Sequence, residues 1–247
     1  MIRPLCAQPE VLALLQARHG NPFGFLGLHT LEDGRRAVRA FQPSAQHAWL
    51  KLEGREEPLE AESCHHHGLF AASIPEGVSV DPYQWEFQRH DGSRWTTRDP
   101  YSFGPVLGEQ DMYYFREGTH RTLYRCLGAH QREMEGVRGT AFAVWAPNAR
   151  RVSVVGDFNG WDGRVNPMRL RIESGIWEIF LPGVGEGAHY KFEILSSEGH
   201  LLLKSDPFAA FSQHGTQTAS LVYHLDGFPW GDGEWMTARS SNDLYHS

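Results

Sequence analysis

Apolar and polar residues alternate along several short segments of the chain. Between residues 190 and 194, Tyr190, Phe192 and Ile194 alternate with Lys191 and Glu193. A period of two predicts a β-strand with one buried face, so that Lys191 points outward. Other short segments are rich in β-branched and aromatic residues and are bounded by Gly and Pro, as at 152–155 and 177–180. Short strands separated by turns predict antiparallel β-sandwiches.

The chain contains the same pattern twice. Alternating runs at 37–43 and 141–147 end at Pro43 and Pro147, which lie 104 positions apart. Further along, matching residues keep an offset of 107, namely Gly68 and Gly175, Phe70 and Trp177, Pro75 and Pro182, Tyr83 and Tyr190, Gly92 and Gly199, and Asp99-Pro100 and Asp206-Pro207. A fixed offset over such a distance indicates a duplicated unit. We therefore predict an all-β fold of two tandem immunoglobulin-like antiparallel β-sandwiches.

One short helix is predicted before the first copy. Val11, Leu12, Leu14 and Leu15 form an apolar stripe at helical spacing, and Gly20 is suited to end the helix. The predicted organisation is an N-terminal helical segment (1–22), a first sandwich (23–115), a second sandwich (116–226) and a linker or docking segment (227–247). Phe228, Trp230 and Trp235 in the last segment are expected to form an apolar docking surface.

Composition narrows the function. The formal net charge is −7 without a basic run, which argues against nucleic-acid binding. No apolar run reaches the roughly 18 residues of a membrane span, and the N-terminus lacks a secretory signal. Three widely spaced cysteines favour a reducing cytoplasm. Cys64-His65-His66-His67 is interpreted as a solvated loop, because neighbouring residues rarely converge on one ion. Neither a metal nor another cofactor is expected.

The two copies differ in one turn. The second copy is three residues longer around 156–162, where Trp161 lies among Asn, Gly and Asp residues. An indole in such a turn is either a structural plug or a binding platform. Asn159 and Asp162 beside it, and the outward Lys191, favour binding of a sugar, whose C–H face would lie on the ring. The corresponding turn of the first copy is charged and has no aromatic residue.

At these residues the second copy resembles family 48 carbohydrate-binding modules. The resemblance rests on the 156–162 turn, on Tyr190-Lys191-Phe192 and on the run 204–208. The stretches 142–161 and 167–177 resemble bacterial glycogen branching enzymes in particular. The first copy resembles the extra N-terminal domain of those enzymes, at 21–29 and 99–105, and the segment 117–130 resembles the junction between the two domains.

The resemblance implies a parent enzyme that forms α-1,6 branches in α-1,4-glucan by retaining transglycosylation. In that family the two catalytic carboxyl groups lie on a C-terminal (β/α)8 barrel, toward which residues 227–247 would lead. We therefore expect this chain to have no catalytic residues and to be inactive alone. Asp157 and Asp162 share one short turn and are not interpreted as the catalytic pair.

The resemblance also carries over candidate binding residues. Well-known glucan-binding members use the Trp of an Asn-x-Trp turn and the Lys of the Tyr-Lys-Phe strand, which are Trp161 and Lys191 here. A second Trp of those members is absent near His200, and their Leu-Gly-Thr segment reads His214-Gly215-Thr216. Thr216 is thus a further candidate, beside Asn159 and Asp162.

Three functions remain open at this point. The first is the non-catalytic N-terminal part of a glycogen branching enzyme that recognises or positions glucan, with glycogen, amylose or maltooligosaccharides and the C-terminal barrel as partners. The second is a free-standing α-glucan-binding module that targets another protein to glycogen. The third is an immunoglobulin-like interaction domain without a carbohydrate role. Within the first, a second sandwich that only packs on the barrel is the alternative to glucan binding.

Overall fold

The computed structural model describes Cys6, residues 8–224 and residues 231–241. Its three α-helices are short, and α1 is Gln8–Leu15, α2 is Glu109–Arg116 and α3 is Gly233–Ser241. The rest of the regular structure is almost entirely antiparallel strand, so the all-β prediction is confirmed. No helix among these residues has the length and apolar character needed to span a membrane.

The first sandwich pairs two four-stranded sheets. Its strands are β1 (Gly27–Thr30), β2 (Arg36–Phe41), β3 (His47–Leu52), β4 (Leu59–Glu60), β5 (Glu62–His65), β6 (Leu69–Ile74), β7 (Tyr83–Gln88) and β8 (Arg94–Arg98). The sheet orders are β1-β2-β6-β5 and β4-β3-β7-β8. Side chains from both sheets meet in one core, where Val38 and Phe70 of the first sheet pack with Leu50 and Trp85 of the second.

The second sandwich has nine strands in two sheets. They are β9 (Gly128–Met134), β10 (Val137–Trp145), β11 (Ala149–Gly156), β12 (Arg169–Arg171), β13 (Ile176–Pro182), β14 (His189–Ser196), β15 (Leu201–Lys204), β16 (Phe211–Ser212) and β17 (Ser220–Leu221). The orders are β12-β13-β10-β9 and β11-β14-β17-β16, with β15 also paired to β14. Phe142, Trp177, Val154 and Tyr190 join the two sheets in the core.

Hydrogen bonds at equivalent places explain the repeated sequence. Tyr83 Oη donates to Asp99 Oδ2 at 2.7 Å, and Tyr190 Oη donates to Asp206 Oδ2 at 2.6 Å. Both carboxylates are buried and also accept a backbone N–H two residues further along the chain. The Tyr and the Asp-Pro pair therefore recur because a buried hydroxyl and a buried carboxylate satisfy each other.

The repeat extends to a pair of helices, of which the sequence pattern predicted only the first. α1 covers the outer face of the β1-β2-β6-β5 sheet, and α2 covers the outer face of the β12-β13-β10-β9 sheet. Each helix begins 19 positions before the first strand of its sandwich. The prediction that α1 ends at Gly20 is wrong. The helix ends at Leu15, and Ala17 then takes a left-handed conformation with φ 55°.

Most of the predicted C-terminal docking surface lies outside the described residues. Phe228 and Trp230 belong to that part. Trp235 lies on α3, where its ring is 60% exposed and 5.3 Å from the Arg239 guanidinium. The described part of the segment is thus helical, and its role as a linker stays a prediction.

Burial of Asp99 predicts a pH-dependent stability. Desolvation raises the pKa of Asp99 to about 6, against hydrogen bonds from Tyr101, Tyr83 and Trp85 that lower it. Between about pH 4 and pH 6 the folded state therefore keeps a proton on Asp99 that the unfolded state has released. The resulting contribution to the free energy of unfolding is complete below about pH 4 and is lost as the pH rises to about 6. At about 1.4 kcal/mol per unit of pKa, the change amounts to roughly 3 kcal/mol.

The Asp99→Asn variant has no carboxyl group at this position and therefore does not titrate there. We expect wild-type stability, measured by urea unfolding from pH 4 to 7, to fall relative to the variant across the window. Parallel pH profiles of the two proteins would contradict the assignment.

Candidate functional site

The turn after β11 places Trp161 at the surface. A 3₁₀ helix spans Asp157–Asn159, and Gly160 and Trp161 then both adopt left-handed conformations, with φ of 63° and 62°. Such a φ is costly for a bulky side chain and needs support from its surroundings. Trp161 N–H donates to Gly156 O at 3.0 Å, and its indole Nε1 donates to Asp157 Oδ1 at 3.1 Å. The indole is held in one orientation and remains 38% exposed.

Asn159 holds the turn from within. Its Oδ1 accepts from Gly156 N at 2.9 Å, and its Nδ2 donates to Val154 O at 2.9 Å and to Asn166 Oδ1 at 2.8 Å. Both amide hydrogens are therefore engaged inside the protein. This geometry gives the predicted ligand Asn159 a supporting role, which keeps the Trp161 backbone in its unusual conformation.

Asp162 is similarly engaged. Arg164 approaches its two carboxylate oxygens, with Nη2 2.6 Å from Oδ2 and Nε 2.9 Å from Oδ1. Although partial burial raises the pKa of Asp162, the hydrogen bonds from Arg164 outweigh it and hold the pKa below its ordinary value. Asp162 is thus an ionised partner of Arg164 and stiffens the turn.

The base of the turn is fixed on the outer face of the β11-β14 sheet. Arg151, 1% exposed, donates to Gly163 O at 2.7 Å and to Glu193 Oε1 at 2.6 Å. Ser153 Oγ donates to the same Gly163 carbonyl at 2.6 Å. A Cβ at Gly163 would come within 1.8 Å of Glu193 Oε1, so a side chain there would displace this carboxylate from Arg151.

Lys191 lies beside this turn on β14. It pairs with Val155 of β11, and its ammonium Nζ donates to Thr218 Oγ1 at 2.8 Å. Lys191 is half-buried, whereas Thr216, two residues before Thr218, is exposed. The structure therefore brings Lys191 and Thr218 together on the face of the second sandwich that carries the turn.

Two residues that sequence reasoning missed connect these groups. Asp157 Oδ2 lies 3.0 Å from His189 Nδ1, while its Oδ1 accepts from the Trp161 indole. His189 and Lys191 are two positions apart on β14 and so share a face. Contacts consequently run from Trp161 through Asp157 to His189, next to Lys191 and Thr218. The alternation that assigned Lys191 to the outside also applies to His189 and could have identified it.

The first sandwich has no equivalent surface. The connection from β3 to β4 consists of residues 53–58, and most of them are charged and exposed. Arg55 Nε donates to Glu57 O at 2.9 Å, and Gly54 occupies the left-handed position with φ 75°. This connection contains no aromatic ring that could serve as a platform.

Two clusters place potential metal-binding atoms within 4.8 Å of one another among the described residues. One consists of His65, His66 and His67, and the other of Asp111, His120 and Cys126. The second cluster repeats a contact of the first sandwich. Asp111 Oδ1 lies 3.0 Å from His120 Nε2, as Glu10 Oε2 lies 2.8 Å from His19 Nε2, 101 positions earlier.

Phe25 of the first copy and Cys126 of the second occupy equivalent positions beside the histidine. Phe25 stacks on His19, and Cys126 contacts His120. Backbone amides two residues after each histidine donate to its Nδ1, both at 3.3 Å. Because the same contact occurs in both copies, we interpret the Asp111–His120 pair as structural: it links α2 to the chain before β9.

Comparison with known proteins agrees with the two-module architecture. Residues 7–101 match the model of the alpha-1,4-glucan branching enzyme GlgB N-terminal domain, and residues 126–209 match carbohydrate-binding module 48 (isoamylase N-terminal domain). The 1,4-alpha-glucan branching enzyme GlgB of Paramagnetospirillum magneticum is 46% identical over 237 residues, which are 95% of this chain and 31% of that enzyme. That of Rubrobacter xylanophilus is 49% identical, over 96% of this chain and 32% of its own length.

Similarity to solved structures is much weaker. Ligand-free PulA from Klebsiella pneumoniae aligns over 81% of this chain and 21% of its own, at 16% identity and a TM-score of 0.34. The chain spans about a third of the length of the curated relatives it matches. It aligns with the N-terminal region of those 1,4-alpha-glucan branching enzymes, and the match to the GlgB N-terminal domain is followed along the chain by the match to carbohydrate-binding module 48.

Proposed function

We propose that this chain is the non-catalytic N-terminal part of a bacterial glycogen branching enzyme and that its second sandwich binds α-1,4-linked glucan. The observation that carries the proposal is the oriented, exposed indole of Trp161, with polar groups beside it on one face. The C–H face of a glucose unit would lie on the indole. Its hydroxyls would meet Lys191, Thr216, Thr218 and the Asp157–His189 pair.

The internal bonding of the turn supports a binding role over a plug. A plug fills a gap in the core, whereas this ring lies outside the core cluster of the second sandwich. Three side-chain hydrogen bonds of Asn159 and the Asp162–Arg164 pair hold the turn in a conformation that is costly for tryptophan. Such preorganisation lowers the entropic cost of binding.

Glucan bound at this surface would be presented to a C-terminal catalytic domain. The similarity extends over 95% of this chain, and the relatives are about three times longer. That relation supports a part of a branching enzyme over a free-standing targeting module. Asp157 contacts Trp161 and His189, which supports a role in binding. Asp162 is paired with Arg164, which supports a structural role. A cytoplasmic location, where glycogen is made, agrees with the free thiols of Cys6, Cys64 and Cys126.

Electrophoresis in native gels tests the proposal. The 247-residue chain is expected to migrate more slowly in gels containing amylopectin or glycogen than in plain gels, relative to a protein that does not bind glucan. Dextran, in which the units are α-1,6-linked, is the control polymer and should retard the chain less. Equal relative mobility in amylopectin, glycogen and plain gels would contradict glucan binding.

A further inference from the structure

A cleft of about 350 Å³ lies between the two sandwiches. Its volume is within the range of about 300–1,000 Å³ found for small-molecule pockets, which often lie at domain interfaces. Both sandwiches contribute to its walls, including Trp95, Thr96 and Tyr101 from the first and Phe158, Asn166 and Val184 from the second.

The charged residues that line the cleft are too few to bind an ionic ligand. None of the described residues that line it is Lys, Arg, His or Glu, and its one carboxylate is Asp99. Asp99 Oδ1 accepts from Tyr101 N at 2.9 Å, and Oδ2 accepts from Tyr83 Oη at 2.7 Å and Trp85 Nε1 at 3.3 Å. A phosphate or a carboxylate would lose its hydration shell here without gaining a partner of opposite charge, and the one carboxylate that could meet a cation already accepts three hydrogen bonds. The lining therefore favours a neutral ligand.

The remaining polar groups are hydroxyls and amides next to aromatic rings. Thr96 is exposed, and Thr97 Oγ1 donates to Arg98 O at 3.0 Å, which leaves its oxygen able to accept. Asn166 Oδ1 accepts from Asn159, and no acceptor among the described residues takes its Nδ2 hydrogens. The Trp95 indole is half-buried, with Arg89 over one face at 4.2 Å. Neutral hydroxyls and amides beside aromatic edges suit a saccharide better than a purely apolar molecule.

The cleft lies behind the turn that carries Trp161. Phe158 and Asn166 belong to that turn and line the cleft. The first sandwich also holds the turn, because Tyr101 Oη donates to Val165 O at 3.2 Å and Phe41 lies 5.8 Å from the Arg164 guanidinium. The same segment thus presents an indole on the second sandwich and forms one wall of the cleft between the sandwiches.

We propose that this cleft is a second saccharide site, which binds a short, neutral, α-1,4-linked glucan separately from Trp161. The neutral-saccharide class follows from the lining, whereas the α-1,4 linkage rests on the proposed function. The first sandwich then takes part in binding through Trp95, Thr96 and Thr97, although it lacks an aromatic turn of its own.

Indole N–H signals report on the two sites separately. The 247-residue chain, labelled with ¹⁵N, is titrated with maltotriose in wild-type and Trp161→Ala forms. The Trp95 signal is assigned by its loss in Trp95→Phe. We expect a saturable shift of the Trp95 signal in both proteins, because the cleft does not require the Trp161 ring.

Substitutions at the mouth of the cleft provide the second half of the test. Thr96→Trp places a large ring at an exposed position of β8, where tryptophan has good strand propensity. It should raise the Kd obtained from the Trp95 shift by about tenfold or more, equivalent to roughly 1.4 kcal/mol of binding free energy. Val184→Phe narrows the cleft from the opposite wall and should act in the same direction. Thr30→Trp, at an exposed threonine of β1 outside the cleft, is the matched control and should leave the response unchanged.

The outcomes separate this inference from the proposed function. If the Trp161 signal of the wild type shifts and the Trp95 signal does not, the cleft is not a saccharide site, and the Trp161 surface is. If Trp95 shifts and Trp161 does not, the cleft site stands and the proposed platform fails. A Trp95 shift that Thr96→Trp and Val184→Phe leave unchanged would also overturn the cleft site.

Discussion

Replacing Glu178 with Ala is expected to lower the free energy of unfolding by about 3–5 kcal/mol, the usual cost of removing one partner from a buried charge network. Glu178 is 1% exposed on β13. Its Oε1 accepts from Val106 N at 3.2 Å, and its Oε2 accepts from Leu107 N at 2.9 Å. The variant leaves these two buried amides without an acceptor and deprives Arg169 and Arg171 of a carboxylate 3.8 and 3.6 Å away.

Urea unfolding measures this loss as a lower midpoint at an unchanged slope. Burial raises the pKa of Glu178, against hydrogen bonds from Leu107 and Val106 and the charge of Arg171 that lower it. Glu178→Gln keeps an acceptor oxygen and removes the buried charge, so its loss should be smaller. Glu198→Ala, at a 79% exposed side chain, is the control and should change little. An equal midpoint for Glu178→Ala and the wild type would contradict the role given to this network.

The duplicated fold could be predicted from the sequence because its fixed residues are local signals. Tyr83 with Asp99, and Tyr190 with Asp206, recur at one offset, and their hydrogen bonds supply the reason. α2 was missed because Met112 is its one buried residue, so it has no strong apolar stripe. The equivalence of α1 and α2 was missed because two helices can cover equivalent sheets with little sequence identity between them.

Side-chain partners in the site were harder to predict. The residues of the turn and the outward direction of Lys191 follow from local pattern. The contact between Asp157 and His189 depends on the register of β11 and β14, which alternation does not determine. The internal role of Asn159 likewise depends on Asn166, seven residues away across the turn. The cleft between the sandwiches arises from their docking and has no signature within either copy.

Replacing Trp161 with Ala is expected to abolish measurable binding of maltooligosaccharides at the second sandwich. The substitution removes the apolar face on which a glucose unit would lie, and a shallow surface has few other contacts to compensate. Folding should be preserved, because the ring is outside the core cluster and alanine keeps the same Cβ at this left-handed position. Urea midpoints for the variant and the wild type check this, and a large drop in the variant would indicate a structural plug instead.

Trp145→Ala provides the matched control. Trp145 is also an exposed tryptophan of the second sandwich, at 56%, and its indole donates to Ser174 O at 3.0 Å. It takes no part in the contacts that join Trp161, Asp157 and His189. Its removal should therefore leave glucan binding unchanged, although it deletes an indole that is more exposed than that of Trp161.

The central claim is tested most directly by titrating maltoheptaose into the wild-type chain, Trp161→Ala and Trp145→Ala, with the chemical shifts of the His189 and Lys191 backbone amides as the readout. Glucan binding at the Trp161 surface predicts saturable shifts of both amides in the wild type and in Trp145→Ala, and their absence in Trp161→Ala. Identical titration curves for the wild type and Trp161→Ala, or no shift of these amides in the wild type, would contradict it.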